Sequence, residues 1–192
     1  MTEPREPRSP VTVVVGPYLL DSPRVDDVDA VEAALRDPDI ALWNPSARRG
    51  MSARERARLW VAERAAWDDD HASWVVRDLD GTVIGQVSLH QLDPVNGSGE
   101  VGYWLTPAGR GRGVATAALD AAARFAFDVL ELARVELFHA VENEASCRVA
   151  QRAGFLLEGT ARQSFVYGDG HRHDEHLHAR LATDPDPDLD PL

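Results

Sequence analysis

"TPAGRGRGVATAALDAAARFAF", residues 106–127, sets three glycines and two arginines in positions 109–113 and then runs straight into an alanine-rich segment. Glycine has no Cβ, so a ligand can come close to the backbone, and the first turn of a helix offers unpaired N–H groups to an anion. The stretch therefore reads as an anion cradle at the start of a helix. Beyond it Ala115, Leu119, Ala122, Ala126, Val129 and Leu130 share one helical face, which predicts burial against a sheet.

The flanks supply that sheet. "GEVGYWL" (99–105) is a strand directly before the corner, and "SWVVRDLDGTVIGQVSLHQL" (73–92) sets an Asp-Gly turn between β-rich runs, a hairpin signal. Further upstream, "VTVVVGPYLL" (11–20) begins as a strand. "DDVDAVEAALRDP" (26–38) carries apolar residues at helical spacing until Pro38 closes it, and Ser52 with Glu55 forms a capping box for a helix over 53–67. Downstream, "RVELFHAV" (134–141) is a strand, and "NEASCRVAQRAGF" (143–155) is a short helix with Asn143 as N-cap and Gly154 as its left-handed end. The strands "RQSFVY" and "EHLHARL" then flank the turn "GDGHRHD". This order predicts an α/β (α+β) fold with a mixed sheet flanked by helices.

With 192 residues, 44% of them hydrophobic, the chain suits a single domain, placed by composition at 11–182 between a flexible N-terminus (1–10) and an acidic Pro/Asp-rich tail (183–192) that reads as disordered. No apolar run is long enough for a bilayer and the start is polar, so a cytoplasmic protein with no membrane partner is expected. The single cysteine, Cys147, fits a reducing compartment. An excess of 32 acidic over 20 basic residues disfavours nucleic acid and favours a basic partner.

Two familiar phosphate loops fail at the corner. A Walker loop requires Lys and then Ser or Thr where Val114 and Ala115 stand; a dinucleotide fingerprint requires Gly or Ala at Thr116 and an acidic residue at the end of the next strand, which closes on Val141. What remains is "RGRGVA" in the form Arg-x-x-Gly-x-Ala, preceded by a strand ending "GYWL" and followed, after one helix and one strand, by "NEASCRVAQRAGF". This ordered set resembles the GNAT superfamily of acetyl-CoA-dependent N-acetyltransferases, especially the branch of ribosomal-protein N-terminal (Rim-type) acetyltransferases. The likeness runs from "GPYLL" through "DPDIALW" to "RLATD".

The resemblance implies a mostly antiparallel GNAT-like sheet and acetyl-CoA as co-substrate, with no metal. The coenzyme pyrophosphate would rest on the N–H groups of Gly111, Arg112, Gly113, Val114, Ala115 and Thr116, with Arg110 and Arg112 as added cations. The pantetheine arm would lie beside Tyr103, Trp104 and Leu105; read from the residues alone, Tyr103 and Trp104 serve equally well as core aromatics. Glu100 matches the position of a glutamate base, or else is an exposed strand-end carboxylate. Ser146 matches the serine of the branch's Asn-x-x-Ser pattern, expected near the coenzyme sulfur, or else is a backbone-bonded helix serine. Asn143 either bonds the pantetheine amides or only caps its helix. Where many relatives carry a tyrosine acid, this chain has Ala150.

No spacing argument places a base beside Cys147, and His176 with His178 reads as a polar stripe on one strand face rather than a metal site. The implied activity is direct attack of a primary amine on acetyl-CoA in a ternary complex, with a protein N-terminus as acceptor. A small amine (polyamine, amino acid or aminoglycoside) and a non-catalytic acetyl-CoA-binding module are the alternatives. The family's usual layout would put Trp43, Asn44 and the 168–176 turn beside the acceptor, and its common dimers imply a homodimer.

Overall fold

The computed structural model describes residues 9–45, 50–189 and 192. Most of the N-terminus expected to be flexible (1–8), and residues 190–191 of the tail, therefore lie outside the described residues.

The stretch read as one opening strand is two, Val13–Val15 (β1) and Tyr18–Asp21 (β2), folded back on each other around Gly16 at φ 55°. Val28–Ala34 (α1) follows, but Pro38 does not end the helical region. The chain restarts there as Pro38–Trp43 (α2): the Asp37 carboxylate accepts the Ile40 N–H at 3.0 Å, and Pro38 takes a first-turn position where no N–H is needed. Ala53–Arg64 (α3) opens on the expected Ser52/Glu55 capping box and stops three residues short of the predicted end.

The remaining elements are Ala72–Arg77 (β3), Val83–Asp93 (β4), Ser98–Leu105 (β5), Val114–Asp128 (α4), Arg134–Ala140 (β6), Glu144–Arg152 (α5), Leu156–Val166 (β7) and Arg172–Leu181 (β8). They build one eight-stranded sheet in the order β1-β2-β3-β4-β5-β6-β8-β7. Every pairing is antiparallel except β5 with β6, a parallel step made by the crossover through α4.

Alternation along the strands sends residues to two cores. On one face α4 and α5 bury Leu119, Ala122, Ala126 and Ala150 against Trp74, Leu89, Val101 and Leu137. On the other, Val31 and Val61 join α1 to α3, and Ala34 and Ile40 pack on Trp104. Fully burying a Val, Leu or Ile side chain stabilises by roughly 1.5–3 kcal/mol, so both helix layers are held firmly to the sheet. In the described part of the tail, Asp186 pairs with Arg124 and Arg180, and Leu189 lies in a groove beside Val13 and Phe125. Asp186 thus meets one cation of α4 and one of β8. Among the described residues no helix is long and apolar enough to cross a membrane.

Candidate active site

β5 and β6 pair only over Ser98–Glu100 with Arg134–Glu136. Past Glu100, β5 follows β4 to Leu105 while β6 follows β8 to Ala140, so the sheet parts along its middle. A cavity of about 640 Å³ fills the opening, lined from Val101 to Leu105 on one side and from Leu137 to Ala140 on the other. It extends to the glycine corner and to α5. Of the catalytic and coenzyme-binding residues expected from the sequence, all line it except Glu100, at the apex of the split, and Arg112.

The corner is a short turn, Pro107–Gly109, followed by Gly111 at φ 71° and Gly113 at φ 75°. Gly113 is the left-handed N-cap of α4 and brings no side chain to the first-turn amides, which have no acceptor within the helix. A Cβ at Gly109 would stand 2.7 Å from the Ile84 carbonyl oxygen, so close packing demands glycine there, whereas one at Gly111 would meet nothing within 4 Å. The two arginines do not stand free. Arg110 spans to Asp37 (2.6 Å) and Asp39 (2.8 Å) and ties α2 to the corner. Burial pushes the Asp37 carboxyl up, but the Ile40 N–H and Arg110 outweigh it and leave it below the usual range. Arg112 donates to the Ala108 carbonyl and lies over the Tyr18 ring.

Glu100 sits opposite Glu136 in the parallel register and has His90 Nδ1 at 3.8 Å. Burial, and after it the charges of Glu136 and Glu175, hold Glu100 above the usual carboxylate range. Burial and Arg64 hold His90 below its own, so the ring beside Glu100 is neutral. A half-buried carboxylate with raised proton affinity at the apex of the split is suited to accept a proton.

Tyr103, three residues further along β5, points to the opposite face. The Tyr103 hydroxyl donates to Ser146 Oγ at 3.1 Å, and burial pushes the phenol up to about 12, with the serine bond opposing. Ser146 is the third residue of α5, its N–H held by the Asn143 side-chain oxygen at 3.1 Å, so Asn143 does act as the N-cap. Trp104 is a core aromatic, 5% exposed, with its indole against Trp60. One strand thus carries a raised carboxylate on one face and a phenol–serine pair on the other, with the cleft between.

The acetyltransferase (GNAT) domain family matches residues 18–156. The chain belongs to the GNAT family. Over 95 residues it is 46% identical to a candidate ribosomal N-acetyltransferase, YdaF of Bacillus subtilis (strain 168), covering 50% of this chain and 51% of that one. Over 98 residues it is 29% identical to a spermidine N(1)-acetyltransferase of Vibrio cholerae, covering 51% and 57%. The chain thus spans about half the length of the curated relatives it matches. Mycobacterium smegmatis RimJ in complex with CoA-disulfide superposes with a TM-score of 0.75 at 26% identity, over 90% of this chain and 88% of that one.

Two parts of this GNAT domain escaped the sequence reading. At the far end of the cleft Trp43, Tyr167 and His173 form an edge-on aromatic cluster with centroids 5.4 to 6.2 Å apart. Glu175 accepts from the Tyr167 hydroxyl (2.9 Å) and Ser164 (2.8 Å). The Gly168 N–H donates to the Leu42 carbonyl at 2.9 Å, which pins the last hairpin to α2. Trp43, Asn44 and the 168–176 turn were expected beside the acceptor, and Trp43 meets His173 of that turn; Tyr167 gave no motif. The second part is a histidine–cysteine group beneath α5, whose members lie as far apart in the chain as 139 and 178.

Proposed function

We propose that this protein is an acetyl-CoA-dependent N-acetyltransferase that acts on a primary amine, that of a protein N-terminus, by direct attack in a ternary complex. The observation that carries the proposal is the split between β5 and β6, which opens beside the N-terminus of α4 with Glu100 at its apex. The chain fits the coenzyme where a Cβ would matter, since the space in front of Gly111 is open. The amides of residues 111–116 would hold the pyrophosphate, and with Arg110 engaged by two aspartates these amides, rather than that cation, supply the attraction.

Acetyl-CoA supplies the thioester carbon to which the amine nitrogen bonds as the carbon–sulfur bond breaks. Glu100 takes the amine proton, directly or through water, and its raised proton affinity suits it to that role. Ser146, oriented by Tyr103 and Asn143, returns a proton toward the departing sulfur. Trp43, Tyr167 and His173 border the acceptor. Following the family resemblance, the reading also takes the protein as a cytoplasmic homodimer; sedimentation as a single chain would refute the dimer.

A second acceptor class, a small polyamine, is favoured by the grouping of Glu100, Glu136 and Glu175, which suits a cation with more than one charge. Coenzyme thiol release, measured with acetyl-CoA against N-terminal peptides and against spermidine-like amines, separates the two. Turnover with peptides supports the proposal and turnover with polyamines alone moves the acceptor. Tight acetyl-CoA binding with no release on any amine would leave a binding module.

A further inference from the structure

Beneath α5, on the sheet face turned away from Glu100, four side chains converge: His139 of β6, Cys147 of α5, and His176 and His178 of β8. One ligand atom from each lies within 4.8 Å of all the others, and Cys147 Sγ is 3.8 Å from His178 Nε2. The β6–β8 register sets His139 directly opposite His176. His139 and His178 are 4% and 0% exposed.

The rings are already oriented. Carbonyl oxygens can only accept, so His139 Nδ1–H donates to the Ala140 carbonyl (2.8 Å) and His178 Nδ1–H to that of Phe155 (3.2 Å). Each bond fixes the tautomer and leaves Nε2 as a lone pair turned to the common centre, the backbone-carbonyl support that metal-bound histidines characteristically have. His139 Nε2 and His176 Nδ1 are buried with no hydrogen-bond partner. Two unsatisfied ring nitrogens facing a thiol make a poor packing solution and a ready ligand set.

We propose that His139, Cys147, His176 and His178 form a structural zinc site that staples α5 to β6 and β8. Imidazole and thiolate together suit Zn²⁺, and four protein ligands complete its tetrahedron with no position left for substrate. Zn–N bonds of about 2.0–2.1 Å and a Zn–S bond of about 2.3 Å put tetrahedral ligand atoms roughly 3.3–3.6 Å apart. The group closes to that size by moving its most distant atoms roughly an ångström. On binding, Cys147 releases its proton to solvent and the three rings coordinate through lone pairs. His139 also lines the cleft, which gives the ion a way in. The staple would fix the helix that carries Ser146 and Asn143, yet the inference does not depend on the proposed activity.

The test uses the full chain, stripped by a chelator and titrated with Co²⁺ and then Zn²⁺. One Co²⁺ per chain is expected, with the strong visible bands of tetrahedral cobalt and a near-ultraviolet thiolate charge-transfer band, both lost on adding one equivalent of Zn²⁺. Zinc should raise the melting temperature and slow hydrogen exchange in α5. Cys147→Ser should remove the charge-transfer band and weaken zinc binding at least about tenfold, the least that loss of even an outer partner costs. His176→Asn, at a half-buried position, should weaken it likewise, and the exposed His171→Asn should not. Cobalt without a thiolate band, or Cys147→Ser and His176→Asn binding zinc as tightly as the parent, would overturn the site.

Discussion

Tyr103→Phe removes one hydroxyl from the molecule, and the structure says what that hydroxyl does. It donates to Ser146 Oγ at 3.1 Å, and with the phenol pushed up to about 12 it remains a donor at any working pH. A neutral bond of this kind contributes about 0.5–1.5 kcal/mol, so Tyr103→Phe should lower the melting temperature by about 2–4 °C per kcal/mol lost in a chain of 192 residues. Ser146→Ala leaves the buried phenol without an acceptor, at a cost of about 1–3 kcal/mol. Both variants break the same bond, so the double variant should lose about 1 kcal/mol less than the sum. The same logic governs the rate. If the serine serves the departing sulfur, Ser146→Ala should lower kcat about ten- to a hundredfold, or about 1.4–2.7 kcal/mol of barrier, with little change in acetyl-CoA affinity. Tyr103→Phe should lower it less, and should add nothing once Ser146 is gone. Single-turnover rates and melts of the four proteins make the measurement, and two rate losses that simply multiply in the double variant would show that tyrosine and serine do not act as a pair.

Glu100→Gln should lower kcat/KM most at low pH, with the defect shrinking as pH nears the amine's own pKa; a flat ratio across a pH series would remove Glu100 as the base. The same variant should be more stable than the parent at neutral pH. A carboxyl whose proton affinity is raised by folding stabilises only below its ordinary value of 4.5 and loses that contribution as pH rises through its folded value, so paired melts should converge in acid. Gly111→Glu puts a negative side chain into the open space before α4 and costs about 1–2 kcal/mol of left-handed strain; calorimetry should find acetyl-CoA binding lost from a protein that still melts cooperatively. Asp120→Ala strips Arg180, 2% exposed, of its 2.6 Å partner and should cost about 3–5 kcal/mol by urea denaturation, toward the lower figure because Asp186 remains beside the guanidinium.

The parts legible in the sequence are those whose signal is local. The glycine corner, the Ser52 capping box and the Asn143 cap each lie within one turn of chain, and each stands where it was read. Pro38 misled because a proline that ends one helix is also the favoured first residue of another, and Asp37 decides between the two only through a bond to Ile40. β7 was read from residue 162 although it begins at Leu156: an edge strand broken by register shifts and largely exposed shows no alternation to detect. The cations beside the corner were legible as residues but not as partners, since Asp37 and Asp39 reach Arg110 across 73 and 71 positions. The histidine–cysteine group was hidden for the same reason, because only the β6–β8 register brings His139 to His176.

The split past Glu100 has a bearing on solubility. Sheets normally end at their rims, here β1 and β7, where unpaired strand backbone invites other chains, but past Glu100 a further unpaired stretch faces inward, β5 across from β6. Folded sheet continues on both sides of the slot, so a second polypeptide cannot approach broadside as it would at an outer rim. A slender, extended molecule can enter and bond to both walls at once. The slot therefore screens visitors by girth, and the chain keeps a row of vacant backbone donors and acceptors at its centre without offering its neighbours a template for aggregation.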